Sequence, residues 1–287
     1  MKPFIGIDIT ENKDNENFNG KEFIVQNVSS MRQQAFEKAT DNAMDLGEKA
    51  KLPLPIRIFH WICGFVGTIS LVGFIRAIGD EDGVTFAEAY QNAPWFFWLM
   101  VACLVVWVIL KVISQKKEKE IINSTEGDNA KRTLDFATKS IYEELGVPDD
   151  AITVDILGFT YKIKDGEPKA KETGFNPTAY LNLEVKIFVS DGKLFLADLE
   201  NKYAFPLSEM RAIRTVQKGI SVSGWNKDVQ PNKGIYKPYK MTIDDFECVH
   251  FKPYHILEFE HNGEIWGIYF PCYELESFEK LIGLKAK

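Results

Sequence analysis

The sequence predicts an α+β membrane protein in which a two-helix transmembrane hairpin is joined to a strand-rich domain. Residues 58–75 and 94–110 contain no formally charged side chain. With its flanks, each run reaches the roughly 20 residues that a helix needs to cross about 30 Å of hydrocarbon. Beyond residue 151 the chain alternates apolar and polar residues, which is typical of β-strands with one buried face. We place the transmembrane helices at residues 56–78 and 94–113.

The charges around the two apolar runs predict an orientation. The short loop at residues 79–93 contains four acidic side chains and no lysine or arginine, whereas lysines and an arginine flank the outer ends of the two runs. Basic residues concentrate on the side of a membrane that is not translocated. We therefore expect a multi-pass protein of the cell membrane with an external acidic loop at residues 79–93 and both termini in the cytoplasm.

Side chains suited to the membrane–water interface lie near the ends of both predicted spans. Tryptophan rings favour the headgroup layer, and long basic side chains reach outward to it. The predicted interface anchors are Arg57, Trp61, Arg76, Trp95, Trp98, Lys111, Lys116 and Lys117. Glycines in the first span, including Gly64, Gly67 and Gly73, form a small-residue face that permits close approach of the second span.

The segments that flank the hairpin have simpler patterns. Two short strand-like stretches on either side of a polar stretch predict an N-terminal β-hairpin over residues 1–28. Residues 29–52 read as a cytoplasmic helix that starts at a serine and ends at Pro53. Residues 114–148 read as a helical connector that stops at Gly146 and Pro148.

Residues 149–287 are predicted to form one β-rich domain. Asp191-Gly192 and Asn262-Gly263 each separate two alternating segments, and such dipeptides adopt the positive φ angles of two-residue hairpin turns. After Pro271 the apolar spacing becomes helical, with Leu275, Phe278 and Leu281 on one face. The order is therefore several antiparallel strands followed by one amphipathic helix.

This order resembles the pleckstrin-homology-like superfamily, especially bacterial PH and GRAM-like domains. The resemblance covers residues 151–284 and is carried by the segments 186–189, 204–210, 213–216 and 270–281. It implies a cytoplasmic PH-like antiparallel β-barrel that is capped at one end by the C-terminal helix. Residues 225–250 depart from the pattern and are expected to be an insertion between strands.

Two groups of residues are candidate binding surfaces. Lipid-binding members of the superfamily that the chain resembles cluster basic residues in the loop between their first two strands, and the possible lipid-facing loop here holds Lys162, Lys164, Lys169 and Lys171. Acidic residues interleave with these lysines, so a solvated loop is the alternative. The insertion offers a possible partner-binding face composed of Trp225, Lys227, Tyr236 and Tyr239, whose aromatic and basic composition suits protein contacts. Packing of these aromatic rings onto the barrel is the alternative.

The chain contains no standard motif of a metal site or of a catalytic site. Cys248, His250 and His255 lack standard zinc spacing, and acidic residues near the two histidines do not pair a nucleophile with a base. We therefore predict no catalytic residue, no metal and no cofactor, although a membrane-bound enzyme stays an alternative.

The predicted function is a membrane-anchored cytoplasmic scaffold or adaptor that uses the PH-like domain for protein–protein interaction or self-association. Lipid-headgroup sensing by the same domain is the alternative. The expected partners are the lipid bilayer and a membrane or cytoplasmic protein, with a homo-oligomer as one possibility. A net charge of −7 argues against nucleic acid as a partner.

Overall fold

The computed structural model describes residues 1–8, 20–79, 90, 94–165, 167–170, 180–223, 234–244 and 248–287. It divides into two compact units. Residues 1–33 and 139–287 form the first, which we call the β unit. Residues 34–138 form the second, which we call the helical unit. The chain is thus α+β, and the segment before the apolar helices folds with the segment after them.

Four helices account for the helical unit and its connections to the β unit. Their bounds are α1 Ser30–Ala50, α2 Leu54–Gly79, α3 Pro94–Ile122 and α4 Thr125–Glu144. Pro53 separates α1 from α2, because a proline cannot continue the hydrogen bonding of a preceding helix. Both α2 and α3 are long and apolar enough to cross a membrane.

Helices α2 and α3 pack closely where the first has glycines. A Cβ atom added to Gly64 would lie 2.8 Å from the Trp107 ring, and one added to Gly67 would lie 2.9 Å from Leu104. Away from this contact the helices expose apolar side chains; Phe65, for example, is 68% exposed. The pair therefore has a tightly packed inner face and an apolar outer face, as a membrane anchor requires.

The contact between α2 and α3 should respond differently to two glycine substitutions. Gly67→Leu should weaken it, because overpacking costs about 1–3 kcal/mol. Gly73→Leu should leave it intact, since among the described residues no atom lies within 4 Å of a Cβ at that position. The thiols of Cys63 and Cys103 meet across the contact. The yield of their disulfide under mild oxidation, measured by mass spectrometry, therefore reports how closely the two helices pack. Equal disulfide yields in the two variants would contradict this interface.

The β unit contains fourteen described strands and a C-terminal helix. The strands are β1 Lys2–Pro3, β2 Gly6–Asp8, β3 Ile24–Asn27, β4 Ile152–Lys164, β5 Glu167–Ala170, β6 Tyr180–Ser190, β7 Lys193–Ala197, β8 Asn201–Pro206, β9 Met210–Val216, β10 Ile220–Ser223, β11 Thr242–Ile243, β12 Val249–Phe251, β13 Tyr254–His261 and β14 Glu264–Pro271. Helix α5, Leu275–Ile282, follows. Strands β4, β6, β7 and β8 form one antiparallel series, and β9, β13 and β14 form a second in a separate sheet.

Both predicted two-residue turns are confirmed. Asp191 and Gly192, with φ of 50° and 73°, connect β6 to β7. Asn262 and Gly263, with φ of 51° and 78°, connect β13 to β14. Positive φ at both central positions matches the twist of antiparallel strands, so these dipeptides fix the register of each hairpin.

The sheets differ from the predicted closed antiparallel barrel. In the described parts of the chain the strands pair as two sheets, and three pairs are parallel: β1 with β14, β2 with β4, and β10 with β6. The parallel partners are short segments from outside the two antiparallel series. They cover backbone donors and acceptors that would otherwise be left open at the edges of the sheets. Along the chain, β10, β11 and β12 come between β9 and β13, and β11 and most of β12 fall within the expected insertion at residues 225–250.

The N-terminal segment also differs from its prediction. Among its described residues, the strands do not form a hairpin with one another; β3 instead pairs antiparallel with β8. The reason is burial, because Phe4 and Phe23 are 1% and 3% exposed within the core of the β unit. The ring of Phe4 lies 5.0 Å from that of Phe205. An isolated two-stranded hairpin would leave both rings in water.

Helix α5 closes the same core. Phe278 is fully buried and stacks on Phe270 of β14, with ring centroids 4.0 Å apart. The helix ends at Gly283, whose φ of 78° gives the left-handed conformation favoured after a helix. The amphipathic spacing read from the sequence therefore places the predicted face against the sheets.

Phe4→Ala should destabilise the β unit by about 3–5 kcal/mol, because it leaves a cavity in a packed core. Phe136→Ala is the control, since that ring is 70% exposed, and it should change stability by less than about 0.5 kcal/mol. Hydrogen exchange of β13 amides in the full chain measures the free energy of opening. Equal protection in the two variants would show that the N-terminal segment is dispensable to the core.

Candidate functional site

A cleft on the β unit collects acidic side chains from separate parts of the chain. It has a volume of about 440 Å³. Its carboxylates are Asp155 of β4, Glu184 of β6, and Glu274 and Glu276 at the start of α5. Lys280 is the basic residue in the described lining. We call this feature the acidic cleft.

Hydrogen bonds hold the floor of the acidic cleft together. The Tyr273 hydroxyl donates to Oδ2 of Asp155 at 2.8 Å. The backbone N–H of Asp155 donates to Oε1 of Glu274 at 3.2 Å. The side chain of Asn182 also bonds to Asp155. Strand β4 and the start of α5 are therefore connected through these two carboxylates.

Burial changes the acidity of these groups. It raises the pKa of Glu274 to about 7, against its usual 4.5. It also raises the pKa of Asp155, although hydrogen bonds from Tyr273 and Asn182 oppose that rise by favouring the carboxylate. Glu274 therefore changes charge near neutral pH, and a cationic group in the cleft would favour its ionised form.

Two residues of the predicted partner-binding face pack within the β unit. A 3-10 helix, Gly234–Tyr239, carries both. Tyr236 lines the acidic cleft, and its ring meets that of Tyr273 edge-on at 4.9 Å. Tyr239 packs against a cluster of buried residues that includes Phe251 and Tyr273. Contacts within the β unit thus account for the positions of both rings, which is what the alternative interpretation predicted. Trp225 and Lys227 lie outside the described residues.

The possible lipid-facing loop is partly a β-hairpin. Lys162 of β4 stands opposite Lys169 of β5. The ammonium group of Lys169 pairs with Asp165 at 3.2 Å, and Lys164 is exposed. Lys171 lies outside the described residues. The ion pair with Asp165 offsets part of the positive charge that a phospholipid headgroup would require.

The predicted interface anchors lie on the two apolar helices. Trp61, Trp95 and Trp98 are 77%, 69% and 59% exposed, and Arg76 is exposed. Arg57 is partly buried near the start of α2. The lysines beyond the apolar part of α3 have local partners, which are the Trp107 ring for Lys111, Glu120 for Lys116 and the Lys51 carbonyl for Lys117.

The histidines considered for a metal site have different partners. His250 Nε2 lies 2.8 Å from Asp244, whereas His255 is buried and its Nδ1 lies 3.2 Å from the Thr215 hydroxyl. Within the described ranges, no group of three His, Cys, Asp or Glu side chains could hold a metal ion.

No family model, curated protein or solved structure matches this chain. The geometry of its own residues therefore carries the functional argument. The sequence analysis did not identify the acidic cleft, because Asp155 and Tyr273 are 118 positions apart. They come together only when the strands of the β unit pair. The sequence did offer one indication of this site, which is the carboxylate of Asp155 among the apolar residues of β4.

Glu274→Gln should make the stability of the β unit less dependent on pH. Because the pKa in the folded state is above 4.5, the folded state binds a proton that the unfolded state releases, so stability falls as pH rises from about 4.5 to 7. The loss is as much as roughly 3 kcal/mol, and the glutamine removes it.

The measurement is thermal unfolding of the full chain in detergent at pH 5 and pH 8, followed by tryptophan fluorescence. Glu276→Gln is the matched control, because this side chain is exposed in the same cleft and should keep the wild-type pH dependence. An unchanged pH dependence in Glu274→Gln would contradict the assignment.

Proposed function

We propose that the protein is a membrane-anchored scaffold or adaptor whose β unit is a PH-like protein-binding domain in the cytoplasm. The observation that carries the proposal is the joint folding of residues 1–33 with residues 139–287. These segments flank α2 and α3, and a folded unit built from both must lie on one side of a membrane. That arrangement requires an even number of crossings, and the two candidate spans supply two.

The charge pattern supports the cytoplasmic side. Lysines follow the apolar part of α3, including Lys111, Lys116 and Lys117, whereas residues 79–93 contain acidic side chains and no basic ones. Such a distribution favours a cytoplasmic location for the lysine-rich ends, and with them for the β unit.

The order of strands supports the PH-like assignment. A four-strand antiparallel series, a three-strand antiparallel series in a second sheet and a final helix follow one another along the chain. The sequence pattern predicted antiparallel strands followed by one helix, but not their division into two sheets. A PH-like fold hosts several functions, so the binding role rests on the clefts rather than on the fold.

The acidic cleft is the surface that we assign to a partner protein. Its four carboxylates and the Tyr236 ring suit a basic segment that contributes lysine or arginine side chains. Exposed acidic positions raise the rate of association with such a segment, and the aromatic ring adds apolar contact.

Lipid sensing is the second candidate function. The observation in its favour is the hairpin of β4 and β5, which carries Lys162 opposite Lys169 and exposes Lys164 close to its turn. Lysines at such a turn would contribute attraction to an anionic membrane surface.

Charge reversal tests the adaptor role. Full-length Glu184→Lys/Glu276→Lys should lose a partner that the wild-type chain retains during capture from gently solubilised membranes, because both side chains are exposed in the acidic cleft. Glu143→Lys/Glu200→Lys makes the same change in net charge at exposed positions elsewhere and should retain that partner.

Quantitative mass spectrometry of the captured proteins provides the comparison. Truncation after residue 148 is a poor control, because it would remove the strands against which Phe4 and Phe23 are buried. Recovery of the same partners by both double variants would exclude the acidic cleft as the binding surface.

A further inference from the structure

A second cleft on the β unit has the opposite charge. It has a volume of about 600 Å³ and lies beside β10 and β12. Lys218 precedes β10, Lys240 follows the 3-10 helix, and His250 and Lys252 belong to or follow β12. We call this feature the basic cleft and define it by these four residues.

The basic cleft is locally positive in a chain of net charge −7. Its described lining contains three lysines and a histidine but no aspartate or glutamate. The three lysines are exposed, and within the described ranges none of their ammonium groups forms an ion pair. Their positive charge is therefore available to an anionic ligand.

Neighbouring groups fix the histidine at the edge of the cleft. His250 Nε2 lies 2.8 Å from Oδ2 of Asp244. The other carboxylate oxygen, Oδ1, accepts the backbone N–H of Cys248 at 3.0 Å. Asp244 is thus engaged by β12 and the residue before it, and it orients the imidazole.

Aromatic side chains form a firm wall of the basic cleft. The Phe251 ring lies 6.0 Å from that of Tyr273, and the Tyr180 ring lies 5.0 Å from that of Phe159. These contacts tie the wall to the interior of the β unit. A ligand would therefore meet a fixed surface with cationic side chains at its edge.

We propose that the basic cleft binds a phosphate group, carried either by a soluble phosphorylated molecule or by an anionic phospholipid headgroup. Lysine ammonium groups bind phosphate as point charges, and three of them around one cavity supply several charge-assisted hydrogen bonds. This site is separate from the acidic cleft and from the lysines of the β4–β5 hairpin, so it goes beyond the adaptor function.

The test uses the full chain in nanodiscs of phosphatidylcholine. Inorganic pyrophosphate is titrated in by calorimetry, and co-sedimentation is measured with separate vesicles of phosphatidylcholine containing phosphatidylglycerol. Lys218→Gln/Lys240→Gln/Lys252→Gln should bind about 1000-fold more weakly, since the variant loses three charge-assisted hydrogen bonds and each contributes roughly tenfold. Lys21→Gln/Lys193→Gln/Lys287→Gln removes the same charge from other exposed positions and should bind as the wild type does.

The two arms distinguish the sources of phosphate. If Lys218→Gln/Lys240→Gln/Lys252→Gln loses binding to pyrophosphate but not to vesicles, the ligand is a soluble phosphorylated molecule. If it loses binding to vesicles but not to pyrophosphate, the ligand is a lipid headgroup. Lys218→Arg/Lys240→Arg/Lys252→Arg preserves charge and should retain binding, which shows that the positive charges at these positions are what binding requires. Equal binding by the two glutamine variants, or no binding of either probe by the wild type, would overturn the proposal.

Discussion

The structure depends on the burial of N-terminal aromatic side chains in a core that the distant C-terminal half completes. Phe23 packs its ring within 5.5 Å of Phe259 and 5.1 Å of Trp266, and Phe4 packs beside it. These contacts bring together the chain before the apolar helices and the chain after them. The constraint agrees with the proposed two-helix anchor, because a chain that leaves a folded unit and returns to it would cross a membrane an even number of times.

The same unit carries two clefts of opposite charge, and burial gives them different properties. In the acidic cleft, desolvation makes Glu274 titrate near neutral pH. In the basic cleft, Lys218, Lys240 and Lys252 remain exposed to solvent. A domain with these two surfaces would have separate places for a basic protein segment and for a phosphate group, so partner binding and ligand binding need not compete.

Local rules predicted much of the fold. The lengths of the apolar runs predicted α2 and α3, the Asp191-Gly192 dipeptide predicted one hairpin, and the helical spacing of apolar residues predicted α5. These features could be predicted because each signal lies within a few neighbouring residues. The pairing of β1 with β14 and the meeting of Asp155 with Tyr273 could not be predicted, since both join residues more than 100 positions apart. Gly67 and Gly73 look equivalent in the sequence, but only the packing of α3 shows that they differ.

The most direct test of the membrane-anchor account is thiol labelling in intact cells with a membrane-impermeant maleimide. Asp82→Cys places a thiol in the loop between the apolar helices, and Lys285→Cys places one at an exposed position of the β unit. The account predicts labelling at position 82 without lysis and labelling at position 285 only after the cells are opened. Labelling of both positions in intact cells, or of position 285 alone, would contradict it.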